Sequence, residues 1–226
     1  MRPYTIVFST QTVDGKIADP TGFSRLSCQE DFELLHKLRA WADGIMVGAR
    51  TAMVDDPSLT VRSAIGRNPV RIVLDGNLRV PPDARALSPP KRSVIVTKRG
   101  HPEEKVSAYR SRGISVIEAG SLEGVDLTEA MEILWERMNV RRLLVEGGGT
   151  TIFSLLKEGL VDELWVTVAP RIFGAGTQLV NGSPEGVSIR LYLNSYSVLC
   201  GGWVNLRYVV LDRRPLAPSA QYMRPL

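Results

Sequence analysis

The chain has 226 residues, 44% hydrophobic and 23% charged, with a formal net charge of +4, a length and balance that suit one substantial water-soluble domain. No apolar run approaches the roughly 20 residues that a membrane helix needs. Its basic residues are scattered and not interleaved with aromatics, which argues against a nucleic-acid interface and for a mild attraction to small phosphorylated anions. Tyr4 to Ser9 reads as a short buried strand entered without a leader pattern, so the cytoplasm is the expected compartment. Ser27-Cys28-Gln29-Glu30 has the capping-box form, with Ser27 as N-cap, and Phe32, Leu35, Leu38 and Trp41 follow at helical spacing as a buried stripe. Cys28 reads as a small residue near this helix start, and the two cysteines and two histidines of the chain make no metal-ligand spacing, so no metal is expected.

Gly44 to Val47 and Val70 to Leu74 are apolar runs bounded by turn residues, hence buried strands; the Pro-rich stretch from Val80 to Pro90 is loop. Ser93 to Thr97 predicts a strand, Glu103 to Arg112 a helix, and Ile114 to Ile117 a strand. Asp126 opens a helix with Glu129 as its capping partner. Arg142 to Glu146 is a strand, Thr150 to Glu158 a helix, and Glu163 to Val168 a strand. Ser188–Leu199 and Trp203–Leu211 form a terminal hairpin turning at Gly201-Gly202. Alternating strands and helices imply an α/β fold, a mainly parallel mixed sheet flanked by helices, with the C-terminal antiparallel hairpin at its edge. No linker divides the chain: residues 1–212 are expected as one domain and 213–226 as a loosely packed tail.

Several segments at predicted strand ends have the groups that a phosphorylated ligand needs. Gly147-Gly148-Gly149, between a strand and a helix, makes a pyrophosphate cradle: glycines let backbone N–H groups approach an anion, and the helix N-terminus favours it. The alternative is a tight turn that merely needs positive φ. Gly48-Ala49-Arg50-Thr51 also follows a strand, with the Thr51 hydroxyl available to a phosphate, and Asp55-Asp56-Pro57 then turns the chain. Arg62 and Arg39 are candidates to grip a substrate phosphate, although Arg39 can equally be solvated or paired with Glu33 or Asp43. The Asp14-Gly15 turn carries Lys16 toward the mouth of the sheet. Glu146 ends a buried strand, where a carboxylate is costly unless a cation or ligand pairs with it.

On the segments Thr12–Lys16, Asp55–Thr60, Asn68–Val73, Glu146–Thr150, Glu158–Glu163 and Ala169–Gly174, the chain resembles the reductase family of riboflavin biosynthesis, most closely its free-standing archaeal branch. The resemblance implies a dihydrofolate-reductase-like fold, a homodimer, and NADPH as cofactor, with NADH as the alternative. It implies a cofactor site at Thr10, Thr51, Asp55, the Asp75-Gly76-Asn77-Leu78 turn and Gly147-Gly148-Gly149-Thr150. It implies a substrate site at Ser24, Arg39, Leu59, Arg62 and Glu146 with Lys16 nearby, Lys16 and Glu146 being the catalytic candidates. The implied reaction reduces the ribosylamino group of a phosphorylated diaminopyrimidine. The same reduction of the deaminated pyrimidine, a true dihydrofolate reductase and a non-catalytic cofactor-binding paralogue are the alternatives. The H-x-E and P-C-x-x-C pattern of the family's bacterial zinc deaminase domain does not occur here.

Overall fold

In the computed structural model, residues 1–182, 186–216 and 225 are described. The elements in chain order are β1 (Tyr4–Thr12), β2 (Lys16–Ala18), α1 (Gln29–Trp41), β3 (Gly44–Gly48), α2 (Ala49–Val54), β4 (Val70–Leu74), β5 (Ser93–Thr97), α3 (Glu103–Arg110), β6 (Ser115–Glu118), α4 (Leu127–Glu136), β7 (Arg142–Gly147), α5 (Gly149–Lys157), β8 (Glu163–Ala169), β9 (Thr177–Gln178), β10 (Leu191–Leu199) and β11 (Trp203–Val210). Among the described residues they build a nine-stranded sheet in the order β10-β11-β8-β1-β7-β3-β4-β5-β6 and a small β2–β9 ribbon. From β8 to β6 every pairing is parallel, while β11 runs antiparallel to β8 and to β10.

The order of strands locates the working end. The chain lays β3 to β6 outward on one side, then returns to insert β7 between β1 and β3 before placing β8 on the other flank of β1. Ligands of open α/β sheets collect beyond the carboxyl ends of strands where such an order reverses. The sheet is buried on both faces, which is why its central strands read as continuous apolar runs. Leu143 and Val145 of β7 pack with Met131 and Leu134 of α4 and Ile152 and Leu155 of α5. Leu144 packs on the opposite face with Leu38 of α1, Ala52 of α2 and Val106 of α3.

Four local readings change. α1 begins at Gln29 with Cys28 as N-cap and no side-chain cap bond. The Ser27 hydroxyl lies 3.1 Å from that of Thr10 instead, and Glu30 accepts the Cys200 N–H at 3.1 Å. Cys28 is not an isolated small residue: it forms a disulfide with Cys200, tying the start of α1 to the β10–β11 turn. The stripe of α1 is rotated, with Asp31, His36 and Leu38 buried and Phe32 exposed, because the helix faces the sheet through residues 31, 35 and 38. Finally, the tail starts anchored: the Arg214 N–H donates to the Gly159 carbonyl at 2.8 Å and Arg2 donates to the Arg214 carbonyl at 2.8 Å; residues 217–224 and 226 lie outside the described residues. The short elements α2, β2 and β9 have too few residues to show a period and were not legible in the sequence.

Candidate active site

Glu146 owes its position to an irregularity. Along the β3–β7 ladder Met46 pairs with Val145 but Val47 pairs with Gly147, so Glu146 is an extra, unpaired residue. A bulge of this kind re-aims a side chain at the end of a strand. Glu146 shares the face of Leu144, under α1, and there meets Arg39. The guanidinium donates to both carboxylate oxygens, Nε to Oε1 and Nη2 to Oε2 at 2.7 Å each, and Nη1 donates to the Thr60 carbonyl at 2.8 Å. Burial works against the charge on Arg39, but the adjacent Glu146 carboxylate prevails and raises its pKa. The expected pairing of Arg39 with Glu33 or Asp43 is thus replaced, and Asp43 pairs with Arg142.

The segment that follows α2 is held against this pair. Leu59 is buried and takes a left-handed φ of 49°, and Asp56 one of 37°. Bulky residues adopt that region only where the surroundings enforce it, and such strain gathers at functional sites. Arg62 is exposed; among the described residues its guanidinium donates to hydroxyls alone, Thr60 Oγ1 and Ser58 Oγ, both at 3.3 Å. Of the two arginines, Arg62 therefore keeps more of its donor capacity for a ligand. Its backbone N–H donates to Nδ1 of His36 at 2.9 Å. His36 is buried, and its pKa is lowered by that burial and by Arg39 and Arg62, against an opposing pull from Glu146.

The glycine run and the Gly48–Thr51 turn, read separately in the sequence, meet in space because β7 and β3 are neighbours. Gly148 is the N-cap of α5 with φ 66°. A methyl group there would lie 3.4 Å from Thr151 Oγ1 and 3.5 Å from Thr51 Oγ1, and one on Gly48 would come within 2.4 Å of Thr151 Oγ1. Two strand-to-helix turns thus share one floor that side chains would fill, edged by two hydroxyls, which fits a pyrophosphate. Thr151 is the member that the sequence reading missed; Thr150, which it chose, is exposed on the first turn of α5.

Lys16 enters from the β2–β9 ribbon, where it pairs with Gln178. That ribbon abuts the cradle, for the Asn181 N–H donates to the Gly149 carbonyl at 3.2 Å. Asp14 fixes the turn before it: it accepts the Thr12 hydroxyl at 2.6 Å and the N–H groups of Phe173 and Gly174 at 3.1 and 2.8 Å. The hydroxyl bond above all, with the backbone bonds, holds its pKa down at about 2. Among the described residues the Lys16 ammonium makes no ion pair, so it is available to a ligand.

The Asp75–Leu78 turn leaves β4 beside β3. Buried Asp75 accepts the backbone N–H groups of Asn77, Arg79 and Val80, and Leu78 takes a φ of 50°. His101 Nε2 lies 2.9 Å from the Gly76 carbonyl, and Lys105 donates to the Asn77 carbonyl at 3.3 Å. Other expected residues are not gathered in. Ser24 is exposed in the loop before α1, and Asp55 is exposed at the C-cap of α2. The Thr10 hydroxyl donates to Asp31 of α1 at 2.6 Å.

Comparison with known proteins gives the family. Residues 3–205 match the family described as the RibD C-terminal domain. The chain belongs to that family. A relative from Methanothermobacter thermautotrophicus, named 2,5-diamino-6-ribosylamino-4(3H)-pyrimidinone 5′-phosphate reductase, is 43% identical over 88% of this chain and 94% of its own length. A protein of the same name from Archaeoglobus fulgidus is 41% identical over 77% and 83%. Among solved structures, RibD of Acinetobacter baumannii superposes with a TM-score of 0.78 at 23% identity, over 92% of this chain and 58% of its own. The RibD C-terminal fold is the dihydrofolate-reductase-like one that the resemblance implied, with the antiparallel hairpin at its edge. Among the described residues no helix is long and apolar enough to cross a membrane, and no three or more His, Cys, Asp or Glu side chains are grouped as a metal site.

Proposed function

We propose that this chain is a reductase of riboflavin biosynthesis that converts the ribosylamino group of 2,5-diamino-6-ribosylamino-4(3H)-pyrimidinone 5′-phosphate to a ribitylamino group with NADPH. The observation that carries the reading is the Arg39–Glu146 pair at a bulge directly before the glycine cradle, which puts an oriented carboxylate beside a pyrophosphate site. The names of the two archaeal relatives support the substrate. The cradle of Gly147, Gly148, Gly149, Thr51 and Thr151 would hold the cofactor's pyrophosphate, with Thr150 on the first turn of α5 beside it and the Asp75–Leu78 turn toward its adenosine end. Arg79 and Lys105 beside that turn favour NADPH, with its extra phosphate, over NADH.

When bound, a reduced nicotinamide supplies the hydride that reduction at C1′ requires. The chain's own residues supply the rest. Arg62 anchors the 5′-phosphate from the strained segment that contains Leu59. Arg39 spends two donors on Glu146 and so orients it, leaving carboxylate lone pairs to stabilise the cation of the ring-opened imine. Lys16 donates a proton to the 4′-oxygen released as the sugar ring opens.

The reaction is tested by the loss of NADPH absorbance with the diamino substrate beside its deaminated counterpart. Oxidation with the diamino compound alone is expected. Preference for the deaminated one would move the enzyme to the bacterial order of steps, and no oxidation with either would overturn the reading. Lys16→Met should lower kcat by about 10²-fold or more; unchanged turnover removes Lys16 from the mechanism.

We also infer a cytoplasmic homodimer. The exposed Leu193, Tyr196 and Val198, which share one face of edge strand β10, support a second copy as the cover of that face. Cytoplasmic placement follows from the charged substrate and cofactor, which do not cross membranes freely. The Cys28–Cys200 disulfide pulls the other way, since such bonds persist mainly in oxidising compartments.

A further inference from the structure

His36 belongs to none of the roles assigned so far, yet the structure retains it at a cost. The ring is 1% exposed, and its Nε2 is buried without a hydrogen-bond partner among the described residues. Because Nδ1 accepts the Arg62 N–H at 2.9 Å, a neutral ring carries its proton on Nε2, and that donor is left unpaired next to the Phe32 ring, 4.3 Å between centroids. A buried donor without a partner is destabilising, and an apolar side chain of similar size would avoid the penalty. What an apolar residue would forfeit is the acceptor at Nδ1.

That acceptor completes a set. Three consecutive residues of the strained segment are each fastened once: the Thr60 carbonyl by Arg39, the Val61 N–H by Asn68 Oδ1 at 2.8 Å, and the Arg62 N–H by His36. Arg39 and His36 lie one turn apart on α1, so the helix that orients Glu146 also sets the backbone from which the Arg62 side chain springs. Resting on the reading of Arg62 as the phosphate anchor, we infer that His36 is a positioning residue for substrate binding, acting through its Nδ1 acceptor on Arg62. It touches neither substrate nor cofactor. A protonated ring would present a second donor to the Arg62 N–H beside two guanidinium groups, Arg39 and Arg62, with Glu146 as the one anion acting on it, so the working form is neutral.

The test is steady-state kinetics of the full chain as His36→Leu, His36→Gln, Arg62→Ala and the His36→Leu/Arg62→Ala double variant, with thermal melts to verify folding. His36→Leu should raise KM for the phosphorylated substrate about tenfold, the worth of one such hydrogen bond, with a much smaller change in kcat and in KM for NADPH. His36→Gln, which offers an acceptor again, should recover most of the loss. In the Arg62→Ala background His36→Leu should add less than about twofold. Equal losses with and without Arg62, or no recovery in His36→Gln, would overturn the inference and make His36 a packing residue. Should His36→Leu not fold, His36→Gln against His36→Phe gives the same contrast. An Arg62→Ala enzyme with unchanged KM would overturn the phosphate assignment itself, and this inference with it, whereas a strong Arg62→Ala effect beside a silent His36→Leu defeats the inference alone.

Discussion

Two bidentate arginine–carboxylate pairs stand at opposite ends of the same sheet, one gripped end-on through Nη1 and Nη2 and the other side-on through Nε and Nη2. Arg2 and Asp162 meet where β1 and β8 begin, with Nη1 and Nη2 at 2.7 and 2.9 Å from the two oxygens. Asp162 also accepts the Thr5 N–H at 2.8 Å, and Arg2 donates to the Pro3 and Arg214 carbonyls. Arg39 and Glu146 meet where β7 ends. Asp162 is 1% exposed and closed in by backbone, whereas the Glu146 side chain retains 10% exposure and takes its bonds from Arg39. The first pair is committed to the fold and shut away from ligands, even though Arg2 Nε is buried without a partner among the described residues. The second holds hydrogen-bonding capacity in reserve, and it stands at the end where open α/β sheets bind ligands.

The sharpest way to break that comparison is to remove each carboxylate. Asp162→Ala strands a buried guanidinium and should cost about 3–5 kcal/mol of stability, while kcat per folded molecule stays unchanged. Glu146→Gln should do the reverse, lowering kcat by about 10²–10⁴-fold with a smaller loss of stability than Asp162→Ala. Denaturant melts and steady-state rates on both variants check this. Should Asp162→Ala lower kcat and Glu146→Gln mainly lower stability, the two ends have been assigned the wrong way round.

The sequence made the sheet, its helices and the terminal hairpin legible, because apolar runs and periodic stripes are local signals. The glycine run, Glu146 and the two arginines were legible as types, since glycines before a helix and a carboxylate ending an apolar strand are unusual in themselves. Their partnerships were not. That Arg39 reaches Glu146 depends on a one-residue bulge between β3 and β7, and that Thr51 meets Thr151 depends on β7 returning to lie beside β3. Neither fact has a local signature. The Cys28–Cys200 bond was missed for the same reason, its members being 172 residues apart. His36 had a signal, one helical turn before Arg39, but only the fold supplies the Arg62 N–H that gives it meaning.

A second contrast separates backbone strain from ligand contact. Gly148 in the cradle and Gly201 in the β10–β11 turn have similar left-handed φ values of 66° and 71°. Alanine at either should cost about 1–2 kcal/mol, the penalty of that conformation for an L-residue. A methyl on Gly201 meets nothing within 4 Å among the described residues, whereas one on Gly148 enters the space between Thr51 and Thr151. Gly148→Ala should therefore raise KM for NADPH severalfold as well, and Gly201→Ala should not. Equal NADPH constants in the two variants would reduce the cradle to a turn.

The smallest expected effect is the pH dependence of stability, and its upper window again belongs to one end of the sheet. His36 has a pKa below the ordinary imidazole value of 6.5 in the folded chain, through burial first and then the nearby arginines. As pH falls through 6.5 the unfolded chain takes up a proton that the folded chain refuses, so the unfolded state binds more protons and stability declines. The decline continues until the lowered folded pKa is reached. Asp14 acts in the same direction but in a lower window, its contribution being complete above the unfolded value of 3.8 and lost as pH falls toward about 2. The Arg2–Asp162 end contains no histidine and contributes no imidazole titration to the upper window. Melting temperatures followed from neutral pH to about pH 5, a range in which imidazoles titrate and ordinary carboxylates scarcely do, should therefore fall in the native chain and fall less in His36→Gln. Identical slopes would mean that His36 takes up its proton in the folded state as readily as in the unfolded one, and the neutral acceptor on which Arg62 is held would not be protected by the fold.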